Sequence, residues 1–431
     1  MNLNLGVLLI LFGSSHVYGS EFCDADQTDN SCGSSVSHHS YKKRQRYLIY
    51  DVNPGEGFNL RRDVYMRMAK LVRKMNDDDE TSHWVLVLPP WGPLYHWKSR
   101  KLGFQAQIKW KKFFDVSSLE RYVPVMELDE FITDNGYKIE SLYYLQHYAE
   151  GWTDNGWEER YDVRECIESP PYERTRKDTF SGWFWGYDRM FADEFQCLSI
   201  QGYSSTLANV LRMTSASIVM IDRAEVILHD AFGSPEYWTI RRSMKFAKEL
   251  TDIGDSFRKL HLNSTDDYDK IKKCDSLTAP IEQDALGGPY ISVHLRRQDF
   301  ARARPKDVPS ISYAAKQILK HMKRLNLQFA FIATDASQSE FEELQQYIPG
   351  ATRFVPTVEV LKSILDGGVA IVDQWICAHA RYFLGTHEST FSFRIQEERE
   401  ILGFPVETTF NRLCGDNQTT CTQPSRWTIA V

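Results

Sequence analysis

Residues 47–59 read YLIYDVNPGEGFN. Leu48, Ile49, Tyr50 and Val52 form a short β-prone run of the kind that makes a fully buried strand, and Pro54, Gly55 and Gly57 then break it. The loop therefore sits at a strand's carboxyl end, where the loops of an open α/β sheet converge on a crevice. It holds one carboxylate, Glu56, between two glycines that let a substrate approach the backbone. Residues 290–297, YISVHLRR, repeat the pattern near the other end of the chain: a buried strand runs into His294, Arg296 and Arg297, a set suited to an anion. A base on one side of a crevice and an anion clamp on the other describe a group-transfer enzyme.

Outward from the first stretch, Val64, Met68, Leu71, Val72 and Met75 recur at spacings of three and four, which predicts a helix over 61–75 with Asn59 as its N-cap. The acidic run NDDDE (76–80) contains a DxD pattern that some sugar transferases use to hold a metal. It lies at a helix end, so it reads as a solvated connector. A strand over 84–88 leads into PPWGPLYHW (89–97), either an acceptor groove or a rigid packed loop. Strands are expected at 123–127 and 142–146, and GWFWG (182–186) is an aromatic wall or plain core. A helix over 204–213, a buried strand over 217–222 and one long amphipathic helix over 238–262 follow.

Residues 263–288 are polar and end in Gly287-Gly288-Pro289, the best boundary between two halves. Beyond it, strands at 290–295, 329–334, 353–355 and 382–384 alternate with helices at 310–325, 339–347, 369–380 and 390–402, which implies a parallel sheet. The expected organisation is a leader over 1–19, a disordered polar segment over 20–43, an N-terminal Rossmann-like domain over 44–262, a linker over 263–288 and a C-terminal Rossmann-like domain over 289–431. The fold class is α/β, two such domains facing each other across a cleft, as in a nucleotide-sugar transferase.

The chain of 431 residues is long enough for two cores, and its formal charge of −7 lacks the basic footprint of a nucleic-acid binder. LGVLLILF (5–12) is too short to span a bilayer, and Val17 and Gly19 supply small residues for cleavage, so the chain reads as secretory and soluble. Eight cysteines suit that compartment. Cys414 and Cys421 suit a local loop and Cys166 with Cys197 would close the irregular middle, although spacing alone leaves many pairings open; Cys377, in an apolar helical stretch, reads as a buried thiol. Asn263 and Asn417 head N-glycosylation sequons. His38 and His39 read as part of a solvated tail rather than as metal ligands.

A nucleotide diphosphate leaves as a stable anion, so transfer from a nucleotide sugar needs one base and one positive clamp. Glu56 would deprotonate the acceptor hydroxyl and Arg296 would neutralise the leaving pyrophosphate through a bidentate contact. The segment 385–392, GTHESTFS, opens a helix whose free amides make a phosphate seat. Asp373, near the start of a predicted helix, would accept from a guanine's N1 and N2 donors. Taken singly, Glu56 reads as a solvated carboxylate, Arg296 and Arg297 as a surface pair and His294 as a buried histidine. Their common placement at strand ends in both halves favours function.

The motifs YDVNPGEGFNLRRDVY, WVLVLPPWGPLYHW, GWFWGY, GGPYISVHLRRQDF, GGVAIVDQWICAHAR, TFSFRIQEEREILG and CGDNQTTCTQP together resemble the GDP-fucose protein O-fucosyltransferase family, in the branch that modifies thrombospondin type 1 repeats, from about Tyr47 to Trp427. The resemblance implies a GT-B fold and inverting transfer of fucose from GDP-fucose to Ser or Thr of folded, disulfide-bonded repeats in the endoplasmic reticulum lumen; because Arg296 and the helix amides can hold the pyrophosphate, no metal or other cofactor is expected. By motif, the base falls on Glu56, the donor loop on Gly55, Gly57, Phe58 and Asn59, the HxR donor site on His294, Leu295 and Arg296, and further donor contacts on Asp373, Thr390 and Phe391. Glu398 matches an acidic position important for activity, and the disulfides match Cys166 with Cys197 and Cys414 with Cys421. The chain departs from the pattern at Gly55, where the family carries proline, which leaves the backbone before Glu56 less rigid. Cys23, Cys32 and Cys274 match nothing in it. Rival readings are transfer to epidermal-growth-factor-like repeats, or a non-catalytic binding protein or chaperone for such repeats.

Overall fold

Hydrophobic runs without alternation become strands covered on both faces, and here they build two largely parallel sheets. The computed structural model describes residues 43–416 and 418–431. The leader, the polar segment up to residue 42, Cys23, Cys32, His38, His39 and the sequon residue Asn417 lie outside the described residues. The first sheet and its helices comprise β1 (Arg44–Tyr50), α1 (Phe58–Asp78), β2 (Ser82–Leu88), α2 (Val116–Glu120), β3 (Val125–Glu127), α3 (Leu128–Asn135), β4 (Lys138–Gln146), β5 (Arg160–Arg164), β6 (Tyr172–Arg174), β7 (Phe180–Gly182), β8 (Phe191–Gln201), α4 (Ser204–Met213) and β9 (Ile218–Asp222). Then α5 (Pro235–Ser243), α6 (Lys248–His261) and α7 (Asp266–Asp269) lead to the second: β10 (Gly288–Leu295), α8 (Gln298–Ala303), α9 (Ile311–Leu325), β11 (Phe329–Thr334), α10 (Gln338–Tyr347), β12 (Ala351–Thr352), α11 (Val358–Ala378), β13 (Ala380–Leu384), α12 (Thr390–Ile401) and α13 (Val406–Thr409).

The strand orders are β3-β2-β1-β9-β4-β8-β7-β6, with β5 also on β8, and β12-β11-β10-β13. In each sheet the strand that carries a site loop is interior: β1 lies between β2 and β9, and β10 between β11 and β13, all parallel. The chain moves from β10 to one side and returns on the other, so the end of β10 is a topological switch point, where crevices form. One buried cluster runs through both halves, from Leu48, Val64 and Leu86 to Phe331, Ile371 and Phe383. The outer faces have their own cores, around Ile49, Val87 and Met220 on the first sheet and Ile291, Ile318 and Ile332 on the second.

Four expectations need correction. The helix expected over 238–262 is two, because Phe246 leaves the helix to bridge Phe114 while Lys245 O and Ala247 N bond Asp115 N and Phe113 O. Asn59 does not cap α1. Gly57 does, and Asn59 sits in the first turn with its Oδ1 accepting from Arg62 and Gln374. The strand expected at 353–355 forms instead as the short β12 at 351–352, beside β11. The helix expected over 369–380 starts at Val358 and breaks at Leu365, whose φ of 61° is left-handed, so Asp373 lies well inside it. Cys166–Cys197 and Cys414–Cys421 are disulfides, while Cys377 is buried and Cys274 half-buried, neither bonded among the described residues.

Candidate active site

The carboxyl ends of β1, β2 and β10 meet over a cavity of about 550 Å³ whose wall includes Gly57, Phe58, Asn59, His96, His294, Arg296, Asp373, Thr390 and Phe391. Two helices begin on it. Helix α1 starts at Phe58 and α12 at Thr390, neither has a side-chain cap bond, and neither has an acidic residue in its first turn. Their unsatisfied N–H groups and positive dipole ends therefore converge on one space, which suits a doubly charged anion.

His294 and Arg296 end β10 and enter the same space. The His294 ring stacks on Phe391, with centroids 4.4 Å apart, and its Nδ1 lies 2.9 Å from Ser392 Oγ. That hydroxyl also accepts from Thr386 N at 2.9 Å, and in the tautomer where Ser392 Oγ donates to Nδ1 the ring proton sits on Nε2 as a donor. Burial, with Arg296 nearby, pushes the His294 pKa down to about 3, so the ring is neutral at pH 7. The Arg296 guanidinium is held on the cavity wall by Asp299 at 2.8 Å and Asp335 at 3.3 Å, and its backbone N donates to Thr386 Oγ1. Arg297 turns away: it bonds Glu340 and Pro309 O and takes no part in the cavity, contrary to the anion set read from the sequence.

Deeper in, burial raises the Asp373 pKa well above the usual carboxylate range, and its Oδ1 is buried with no hydrogen-bond partner among the described residues. An unsatisfied buried acceptor on a cavity wall calls for N–H donors on a ligand. Glu56 sits at the rim, one residue before the wall. Its pKa is raised by partial burial and by the Glu225 carboxylate, against the opposing charge of Arg61. No described residue donates a hydrogen bond to its carboxylate, so both oxygens are free to take a proton. A Cβ on Gly57 would lie 3.8 Å from the His96 ring, so the base loop touches the loop after β2.

Three further expected site positions lie off the cavity wall. The Leu295 side chain belongs to the outer core of the second sheet. Glu398 lies on a different cavity, where its Oε2 accepts from Arg241 at 2.8 Å beside the Glu397–Arg241 pair at 2.7 Å. Its place is in a buried charge network joining α5 and α12, which Arg394 extends to Asp63 of α1. Gly55 is exposed in the loop, outside the cavity wall. The NDDDE run is spent on surface pairs, as a connector would be: Asp77 with Arg73, and Asp78 with Lys74 and Arg212. Within 182–186, Phe184 and Trp185 are core while Trp183 is exposed. Within 89–97, Trp91 is packed core while Leu94, His96 and Trp97 line the cavity, so that loop does both.

Asp299, Asp335 and Arg61 were not singled out in the sequence, and His96 and Ser392 only as members of the loops 89–97 and 385–392. Ser392 had a signal, since it follows Thr390 and Phe391 one turn into the helix that opens on the cavity. Asp335 lies just past the carboxyl end of β11, the position at which His294 and Glu56 were sought.

Two facing α/β halves with a cavity built for a phosphate-bearing ligand define a glycosyltransferase-like architecture. A family model described as GDP-fucose protein O-fucosyltransferase matches residues 47–402. GDP-fucose protein O-fucosyltransferase 2 of Homo sapiens is 51% identical over 398 residues, 90% of each chain, and that of Caenorhabditis elegans is 43% identical over 430 residues, 98% of each. The crystal structure of POFUT1 in complex with GDP-fucose has the same fold, with a TM-score of 0.54 and 15% identity over 86% of this chain and 98% of that one. The chain belongs to the GDP-fucose protein O-fucosyltransferase family.

Proposed function

We propose that this enzyme transfers fucose from GDP-fucose to a Ser or Thr hydroxyl of folded thrombospondin type 1 repeats, with inversion at the anomeric carbon. The observation that carries the reading is the convergence of two uncapped helix starts, the Arg296 guanidinium and the unpartnered Asp373 carboxyl on one cavity beside Glu56. The diphosphate fits the helix starts and Arg296, and the N1 and N2 donors of guanine hold Asp373 as the carboxylate against the burial that raises its pKa. Neutral His294 donates from Nε2 to a phosphate or sugar oxygen. The acceptor hydroxyl attacks the anomeric carbon opposite the departing GDP, the bond from that carbon to the phosphate oxygen breaks, and Glu56 takes the hydroxyl proton. Arg296 and the helix N–H groups stabilise the charge that grows on the diphosphate, so the transfer runs without a metal.

Residues 44–262 and 289–431 serve as the base-bearing and donor-bearing domains of this scheme. The leader read over 1–19 would place the enzyme in the endoplasmic reticulum lumen, and no described helix is long and apolar enough to cross a membrane. Asn263, the sequon within the described residues, is exposed and open to glycosylation. The test of the acceptor is GDP release from GDP-fucose with purified folded repeats of the two types. Release with the thrombospondin type 1 repeat and not with an epidermal-growth-factor-like repeat supports the assignment, and the reverse preference contradicts it.

A further inference from the structure

Glu56 is carried by a loop that has little to hold it. Gly55 and Gly57 flank it and contribute no side chains, and its own carboxylate makes no hydrogen bond among the described residues. A base must nonetheless stay within hydrogen-bond reach of the hydroxyl it deprotonates. The side chain that spans the loop and reaches the base's own backbone comes from the first turn of α1. The Arg61 Nε donates to Glu56 O at 3.2 Å, its Nη2 donates to Val52 O and Asn53 O at 3.1 Å each, and its Nη1 donates to Asp51 Oδ1 at 3.3 Å. The guanidinium thus spans the loop from the end of β1 to the base itself, a span that only a planar fork with several donors reaches. The side chain is largely buried, 14% exposed, against 18% for Asp51, so the grip is shielded from solvent. Glu225 closes the other side, with Oε2 accepting from Asn53 N at 3.2 Å.

We infer that Arg61 is the positioning residue for the Glu56 base, an inference that rests on the reading of Glu56 given above. It acts in two separable ways. Its fork fixes the backbone at Asn53 and Glu56 and hence the direction of the carboxylate. Its charge opposes the burial and the Glu225 repulsion that raise the Glu56 pKa. The neighbouring Arg62 does something different: its Nη1 donates to Gln374 Oε1 at 2.7 Å and ties α1 to the helix that carries Asp373.

The test compares Arg61→Lys, Arg61→Gln and Glu56→Gln with wild type, reading turnover, KM for GDP-fucose, GDP affinity, unfolding midpoint and the pH profile of turnover. Arg61→Gln is expected to lower turnover on the order of 10- to 100-fold, as a misplaced base does, with GDP affinity kept. It also moves the acid limb of the profile to higher pH, because the opposing charge is gone. Arg61→Lys keeps the charge, so its acid limb stays with wild type, yet turnover still falls because one ammonium cannot span four acceptors. If Glu56→Gln is inactive while both Arg61 variants turn over like wild type, the positioning role is wrong and the base reading stands. Loss of GDP affinity and unfolding midpoint in step with turnover, with no movement of the acid limb, reduces Arg61 to a structural residue and overturns the inference. Full transfer by Glu56→Gln removes the base reading and this inference with it.

Discussion

The carboxylates of the site stand in unequal surroundings. Glu56 has a raised pKa, and as a base it works only when ionised, so turnover falls as pH drops through that raised value. Glu225→Gln removes the repelling charge while its amide oxygen still accepts from Asn53 N. The acid limb should therefore move to lower pH, opposite to the shift expected for Arg61→Gln, and a pH profile that does not move would disconnect Glu225 from the base. Asp373 tests the other end of the cavity. Asp373→Asn replaces one acceptor by a donor facing a ligand donor, and loss of a buried partner costs about 1–3 kcal/mol, roughly a 10- to 100-fold weaker GDP affinity by calorimetric titration. The strand ends that bring Glu56, His294 and Arg296 around one cavity were legible in sequence, whereas Asp373, expected near a helix start, reaches that cavity from well inside α11. Leu295 was misjudged because alternation along β10 sends its side chain to the outer core, away from His294. Arg61 was invisible because nothing in the chain says that an arginine in a helix's first turn will fold back over the loop before it.

At the scale of elements, the informative feature is where helices begin. The two uncapped starts of α1 and α12 were half legible: the phosphate seat at 385–392 was read from its place after a strand, whereas Asn59 suggested a cap that the structure does not use. The helices α4, α9, α10 and α12 followed from periodicity to within a residue, whereas α1, β4 and α11 run longer than expected. The break between α5 and α6 did not follow from periodicity, because it depends on a partner segment at 113–115 that is remote in sequence. The charged stretches RRSM (241–244) and EERE (397–400) are buried, each against the other's element. Arg241 pairs with both Glu397 and Glu398, and Tyr237 donates to Glu397 Oε1 at 2.5 Å. Arg241→Met strands two buried carboxylates, and by the cost of breaking a buried ion pair it should destabilise the fold by about 3–5 kcal/mol in denaturant unfolding. An unchanged midpoint would show that α5 and α12 are held together by packing alone.

At the scale of the whole molecule, one hydrophobic cluster passes through both halves, so the sheets are joined by a common core as well as by polar bridges such as Arg62–Gln374. The division into α/β halves was legible from alternation alone. The β5–β7 excursion was not, since its short strands are half-exposed and carry no pattern. That excursion is pinned by Cys166–Cys197, with a sequence separation of 31. By loop-closure entropy, removing this bridge with a paired Cys→Ala change should cost about 3–4 kcal/mol in denaturant unfolding, while the short Cys414–Cys421 loop should contribute about 2–3 kcal/mol. Equal effects from the two would argue against a loop-entropy origin. In the proposed mechanism the cavity between the halves binds the donor while Glu56, at its rim, takes the proton. The most direct measurement is fucose transfer to a folded thrombospondin type 1 repeat by wild type and Glu56→Gln at matched GDP occupancy. The expected result is transfer by wild type and a loss on the order of 100- to 10,000-fold in the variant, with GDP affinity unchanged. Near wild-type transfer by Glu56→Gln, or none by well-folded wild type, would contradict it.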